Sequence, residues 1–301
     1  MRNVYFRKNE KLPCAKAPEE PVDYGEPVLK IDKQEHEESH ADMWYALGFS
    51  DEEAIMSLIE TCVQEGSIPE GEVFEETKEY LAPIICPVGS PAKTCVLLVK
   101  RGENYEVESA YPLLEGFKNE VIIGEKYTWE NKLEGDIQIT NINGFENYIS
   151  TTFFIQDFGN CEKDTKLEIY ISGIAYSVED AIMEFEVDKG PLYENSLKDF
   201  LKENPEKRKE DFQNPIVRMD GLVTLFPTET HTLYQYRGTI LAIETVDFFG
   251  KKVYKAKICI KKTEEGEKMF IYLYISPNNC ENCIIEIGKD IMGILKLQGY
   301  R

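Results

Sequence analysis

The chain has 301 residues, 42% hydrophobic and 11% aromatic, with 55 acidic against 34 basic side chains for a net charge of −21. That length exceeds one small core and predicts two or three domains, while the acidity excludes long-range attraction of the whole chain to nucleic acid. Eight cysteines are too few for a disulfide scaffold, no apolar run reaches the length of a membrane span, and MRNVYFRKNEKLP lacks the apolar centre of a secretory leader, so a cytoplasmic setting without membrane contact is expected.

Residues 12–38 hold Pro13, Pro18, Pro21 and Pro27 among many acids, and 1–40 reads as an extended or disordered arm. A helix is predicted after SDEE, where Ser50 and Glu53 have capping-box spacing. Ile55, Leu58, Ile59, Cys62 and Val63 follow at helical intervals, and Gly66 suits the stop. A second helix is predicted through VFEETKEYL. Strands are predicted at IICPV, TCVLLVK and YEVESAY, making 41–128 a small α+β domain. Residues 129–188 form a strand-rich unit. Residues 189–230 read as a charged connector with one short helix at SLKDFL, and 231–301 as a final β module. The fold class is therefore α+β and strand-rich.

An internal repeat is a candidate feature. LEGDIQITNINGF at 133–145 aligns with YRGTILAIETVDFFG at 236–250, and KLEIYIS at 166–172 with MFIYLYIS at 269–276. On this alignment 129–188 would be a degenerate copy of the last module.

The last module has a long first strand bending near Gly238, a DFFGKK turn, the strands YKAKICIKK and MFIYLYIS, and a closing GKDIMGILKLQGY in which Gly288 and Asp290 lead to Gly293. This order resembles an OB-fold barrel at the level of general pattern, without the helix often found before its fourth strand. The resemblance implies that the final strand pairs back to the first and removes a sheet edge. Alternation puts Met269, Ile271, Leu273 and Ile275 inward, and Phe270, Tyr272 and Tyr274 outward. In the preceding strand Tyr254, Ala256, Ile258 and Ile260 face in, leaving Lys255, Lys257 and Lys261 outward. An aromatic row beside a lysine row is how OB barrels hold single-stranded nucleic acid, bases stacking while ammonium groups meet phosphates. Equally, solvated lysines and an aromatic row packed against a neighbouring domain give the same pattern.

Other motifs carry less. HEESH at 36–40 matches the H-E-x-x-H zinc pattern through His36, Glu37 and His40, but its inner residues are polar and it adjoins the proline-rich arm. CENC at 280–283 is one C-x-x-C pair without a second. SPAK at 90–93 lacks the companion motifs of serine enzymes with that spacing. No phosphate-binding glycine loop occurs, so no cofactor is expected. The expected function is a non-catalytic binding or accessory protein acting through a protein partner, its acidic face suited to a basic surface. The runner-up is single-strand nucleic-acid binding through Phe270, Tyr272, Tyr274, Lys255 and Lys257. A metal-dependent hydrolase using HEESH is a distant third.

Overall fold

The computed structural model describes residues 4–5, 39–66, 74–76, 79–86, 90–101, 104–128, 134–141, 149–154, 161–228, 232–263, 266–280 and 283–301. The proline-rich segment 12–38 lies outside the described residues. Two helices come first, α1 (Ser39–Ala46) and α2 (Glu52–Glu65). The α2 cap is Asp51 rather than Ser50: its carboxylate accepts the Glu53 N–H at 2.9 Å. Aspartate caps as well as serine does and here stands directly before the first helical residue. The buried stripe of α2 is Ile55, Leu58, Ile59, Cys62 and Val63, as its spacing predicts, and the Gly66 N–H closes the helix on the Cys62 carbonyl at 2.8 Å.

The predicted helix through VFEETKEYL is instead parts of two strands. A five-stranded sheet contains β1 (Val4–Tyr5), β2 (Phe74–Glu76), β3 (Glu79–Cys86), β4 (Ala92–Arg101) and β5 (Asn104–Leu114) in the order β1-β5-β4-β3-β2. Phe74 pairs with Leu81 and Glu76 with Glu79, so this charged stretch folds back on itself as an antiparallel pair. Its weak helical pattern loses to backbone pairing with a strand that is already half of a sheet. Trp44, Ile55 and Ile59 of the helices, with Leu47 just past α1, pack with Val96, Leu98, Ala110 and Leu114 of this sheet.

A second sheet has nine strands. Its first part is β6 (Phe117–Thr128), β7 (Glu134–Asn141), β8 (Ile149–Phe154) and β9 (Lys166–Asp180). After β10 (Glu184–Glu186), α3 (Pro191–Glu203) and β11 (Ile216–Arg218), which stand apart, come β12 (Thr224–Pro227), β13 (Leu233–Phe248), β14 (Lys251–Lys262), β15 (Lys268–Ile275) and β16 (Asp290–Tyr300). The SLKDFL helix is thus the second half of a longer α3.

The pairings close on themselves twice. One ring of hydrogen-bonded strands runs β13–β14–β15–β9–β16 and back to β13, antiparallel except for β15 beside β9. Another runs β6–β7–β8–β16–β9 and back to β6, antiparallel except where Gln298 of β16 meets Thr152 of β8. The two rings share the β9–β16 pair. One apolar cluster fills them, from Val121, Ile137 and Ile169 through to Ile258, Ile271, Leu273 and Leu295. The final strand therefore belongs to both rings, and β9, from the 129–188 segment, completes the ring of the last module. Near the predicted bend a Cβ on Gly238 would lie 2.4 Å from the Cys259 carbonyl oxygen, and the β13–β14 register slips between Ile240 and Ala242.

The segments aligned as a repeat do not hold equivalent places. KLEIYIS falls in β9 and MFIYLYIS in β15, and these two strands pair with each other, Ser172 against Tyr272. The segment 133–145 includes β7, the second strand of its run, whereas 236–250 is mainly β13, the first strand of the run β13–β16.

Candidate functional site

The predicted aromatic–lysine face exists as a geometric unit. Across the β14–β15 ladder Lys255 stands opposite Tyr274, Lys257 opposite Tyr272 and Cys259 opposite Phe270. The ammonium of Lys255 lies 4.2 Å from the centre of the Tyr272 ring, and that of Lys257 lies 4.7 Å from the Phe270 ring. Met269, Ile271, Leu273 and Ile275 point into the ring core on the opposite side. The strand parity read from sequence holds for the aromatic row and for Lys255 and Lys257, but a register shift between Cys259 and Lys261 sets Lys261 opposite the core-facing Met269 instead of in the outward row.

What the alternation does not reveal is that Tyr274 and Lys255 are buried against Pro91 and Glu115, while Lys257, Phe270 and Tyr272 stay half-buried. Tyr274 is 0% exposed, its hydroxyl 3.0 Å from the Pro91 carbonyl and 3.1 Å from that of Glu115. Burial pushes its phenol well above the ordinary tyrosine range. Lys255 is 6% exposed and forms ion pairs with Glu115 at 2.9 Å and Glu244 at 2.7 Å. Burial pulls the ammonium down, but its hydrogen bonds to Glu244 and Glu115 outweigh that, and Lys255 ends above its usual value. Lys257 is held between rings, 4.1 Å from Phe117 as well as over Phe270, and Phe117 also meets Tyr272 edge-on at 5.4 Å. The cation and stacking surface are thus engaged with the chain itself.

Beside this lies a buried ionic cluster that the sequence does not announce. His40 of α1 and Glu134 of β7 meet at 2.8 Å between Nε2 and Oε1, each side chain 1% exposed. The imidazole stacks on Tyr111 at 5.3 Å between centroids, and its Nδ1 faces the Met43 sulfur at 3.5 Å. Asp136 and Gln138 of β7 and Lys296 and Gln298 of β16 are buried with it. Gln298 spans the two layers, accepting the Leu114 N–H at 3.0 Å and donating to the Pro112 carbonyl at 3.1 Å. Burial pushes the Lys296 ammonium down to about 8, with Asp136, Asp42 and Glu134 offsetting part of that fall. A base whose folded pKa lies below its unfolded value of 10.5 binds protons more readily when unfolded between those limits. Its contribution to stability therefore rises as pH increases from about 8 to 10.5. Lys296→Met should remove this rise: urea unfolding at pH 7.5 and 9.5 should show a larger gain for the parent chain than for the variant. Equal gains would mean that Lys296 is not the group that titrates.

The remaining motifs fall elsewhere. His36 and Glu37 lie outside the described residues, as does His231, and among the described residues no group of three or more His, Cys, Asp or Glu is arranged to hold a metal. Ser90 accepts the Ala92 N–H at the start of β4. Burial raises the Cys280 thiol, and burial with a hydrogen bond to Asp180 pushes Cys283 up to about 12, so both stay protonated and weakly nucleophilic at neutral pH.

The arm between β9 and β13 is different in kind. β10 and β11 pair only with each other among the described strands, Phe185 opposite Val217. No residue of α3 is buried. Tyr193, Phe200 and Phe212 form a local aromatic cluster, with Lys207 over Phe200 and Lys209 over Tyr193. Around it Ile182, Met183, Phe185, Leu192, Ile216, Leu222 and Phe226 are exposed, Ile216 to 62% and Phe226 to 60%. Sequence reading treats this stretch as a connector because its charges mask apolar residues that recur singly. No family model matches the chain, and no curated protein or solved structure matches it either. No helix of the described residues is long and apolar enough to cross a membrane.

Proposed function

We propose that the protein is a non-catalytic binding protein that engages a protein partner through the arm of residues 181–228. The observation that carries this reading is the crowding of exposed apolar side chains there: of twelve large exposed apolar residues among those described, seven lie between Ile182 and Phe226. Single exposed apolar residues are ordinary, but their concentration in one stretch of the chain supports an interaction surface. The net charge of −21 favours a basic partner by long-range attraction.

An OB-like reading of the two rings goes with this. The pairings of β13, β14, β15 and β16 follow OB order if β9 takes the fifth position, parallel to the third strand. Those of β6, β7, β8 and β9 do the same if β16 takes the fifth. The two four-strand runs are then copies that exchange their fourth strands to close each other. In the second copy the OB ligand face carries Phe270, Tyr272, Tyr274, Lys255 and Lys257, and the burial of Tyr274 and Lys255 against Pro91 and Glu115 weighs against single-strand nucleic acid as the ligand.

The reading is tested on the intact chain with two probes. Fluorescent single-stranded DNA and RNA should not bind at physiological salt. Affinity capture from the source cells should retain a protein that a Phe185→Ser, Ile216→Ser double variant, folded as judged by circular dichroism, fails to retain. Oligonucleotide binding lost on Lys257→Glu would move the function to the aromatic–lysine face. Equal capture by the double variant would remove the arm from consideration.

A further inference from the structure

Both feet of the arm converge on one buried guanidinium. Arg237 leaves β13 and is 4% exposed. Its Nη1 donates to the Ile182 carbonyl at 2.5 Å, on the foot where the chain leaves β9. Its Nη2 donates to the Met219 carbonyl at 2.8 Å and its Nε to the Leu222 carbonyl at 3.2 Å, on the foot that returns to β12. Three backbone carbonyls, with the Met183 sulfur 3.6 Å from Nη2, accept from the fork but do not neutralise its charge. That task falls to Asp290, the first residue of β16, whose Oδ2 stands 3.6 Å from Nη2. Asp290 is fixed in turn: its carboxylate accepts the Thr239 hydroxyl and the Gly221 N–H, the latter at 3.2 Å, and its own carbonyl accepts the Ala181 N–H.

We infer that Arg237 and Asp290 form a polar clip that sets the orientation of the arm on the rings, making Arg237 the positioning residue of the docking surface. The inference rests on reading the arm as the docking element. At the returning foot β12 pairs with β13 and Leu225 enters the ring core, but beyond it α3 buries no residue and the β10–β11 pair adds no strand to either larger sheet, so the clip is the polar link between both feet. A planar fork with fixed donor directions suits this role, because it constrains three carbonyls at once where a lysine would hold one or two. An arm held in a single orientation meets its partner without first losing that freedom, which is the gain from preorganisation.

Hydrogen–deuterium exchange on the full chain tests the clip. Arg237→Met should speed exchange of arm amides such as Val187 and Met219, which bond to the Pro215 and Met183 carbonyls, by roughly tenfold or more, while β14 and β15 keep their parent rates. Arg237→Lys should fall between. Parent rates in the arm of a folded Arg237→Met chain would overturn the inference. Should that variant not fold, Asp290→Asn decides: its one amide oxygen can still accept the Gly221 N–H and its NH2 can donate to the Thr239 hydroxyl, but the guanidinium is left without a counter-charge. Faster exchange confined to the arm supports the clip, and unchanged rates or a uniform rise across arm and rings overturn it. The readout is separate from docking itself, since Phe185 and Ile216 are not among the groups that Arg237 contacts. Loss of capture without any arm loosening, or the reverse, identifies which of the two readings has failed.

Discussion

Glu134→Ala should destabilise the folded chain by about 3–5 kcal/mol, and His40→Ala by a comparable amount. The two side chains meet at 2.8 Å with 1% exposure each, so removing either takes this buried contact between α1 and β7 from the other. The losses should not add. The double alanine variant should cost well under the sum of the singles, because the second substitution removes a group whose shared contact the first has already broken. A control separates pairing from packing: replacing both residues by leucine and methionine, in either order, should restore most of the stability, since a packed apolar pair avoids the desolvation that the polar pair must offset. Urea unfolding of the five chains gives the coupling energy directly. Additive single losses would mean that the contact contributes little beyond volume.

The same residues show where sequence reading ends. Glu134, Asp136 and Gln138 alternate with Ile137 and Ile139, and Lys296 and Gln298 with Leu295 and Leu297. Alternation correctly assigns the isoleucines and leucines to the core, but it says only that a strand has two different faces. It does not say that the polar face is wet. Here α1 and the first sheet cover that face, and what looks like solvated polar surface is buried polar contact. The β14–β15 rows fail in the same way: Tyr274 and Lys255 face away from the ring core, as predicted, yet both are buried beneath Glu115 and Pro91. Arg237 was hidden for another reason. Its partners are backbone carbonyls of Ile182, Met219 and Leu222, and a backbone acceptor leaves no mark on composition. Legible features were those set by neighbours along the chain, such as the stripe of α2. Contacts between layers depended on partners far away in sequence.

Closure by β16 provides the other large expected effect. Gly293 has φ +156, and a Cβ there would lie 2.0 Å from the Ser177 carbonyl oxygen of β9. That oxygen belongs to the strand shared by both rings, and Ser177 pairs with Ile294 just beyond. Relief therefore requires β9 and β16 to separate where their register already shifts, between Ile294 and Leu295. Gly293→Ala should cost more than about 4 kcal/mol and leave little folded protein, the range reached when backbone strain and a steric clash coincide. Gly288 makes the comparison sharp. It too has positive φ, +87, but nothing lies within 4 Å of where its Cβ would be. Gly288→Ala meets only the intrinsic dihedral penalty, about 1–2 kcal/mol, and should yield a folded chain with a lower melting temperature. If the two variants lose similar stability, the cost at Gly293 is conformational alone, and the close approach of β16 to β9 is not what holds the rings shut.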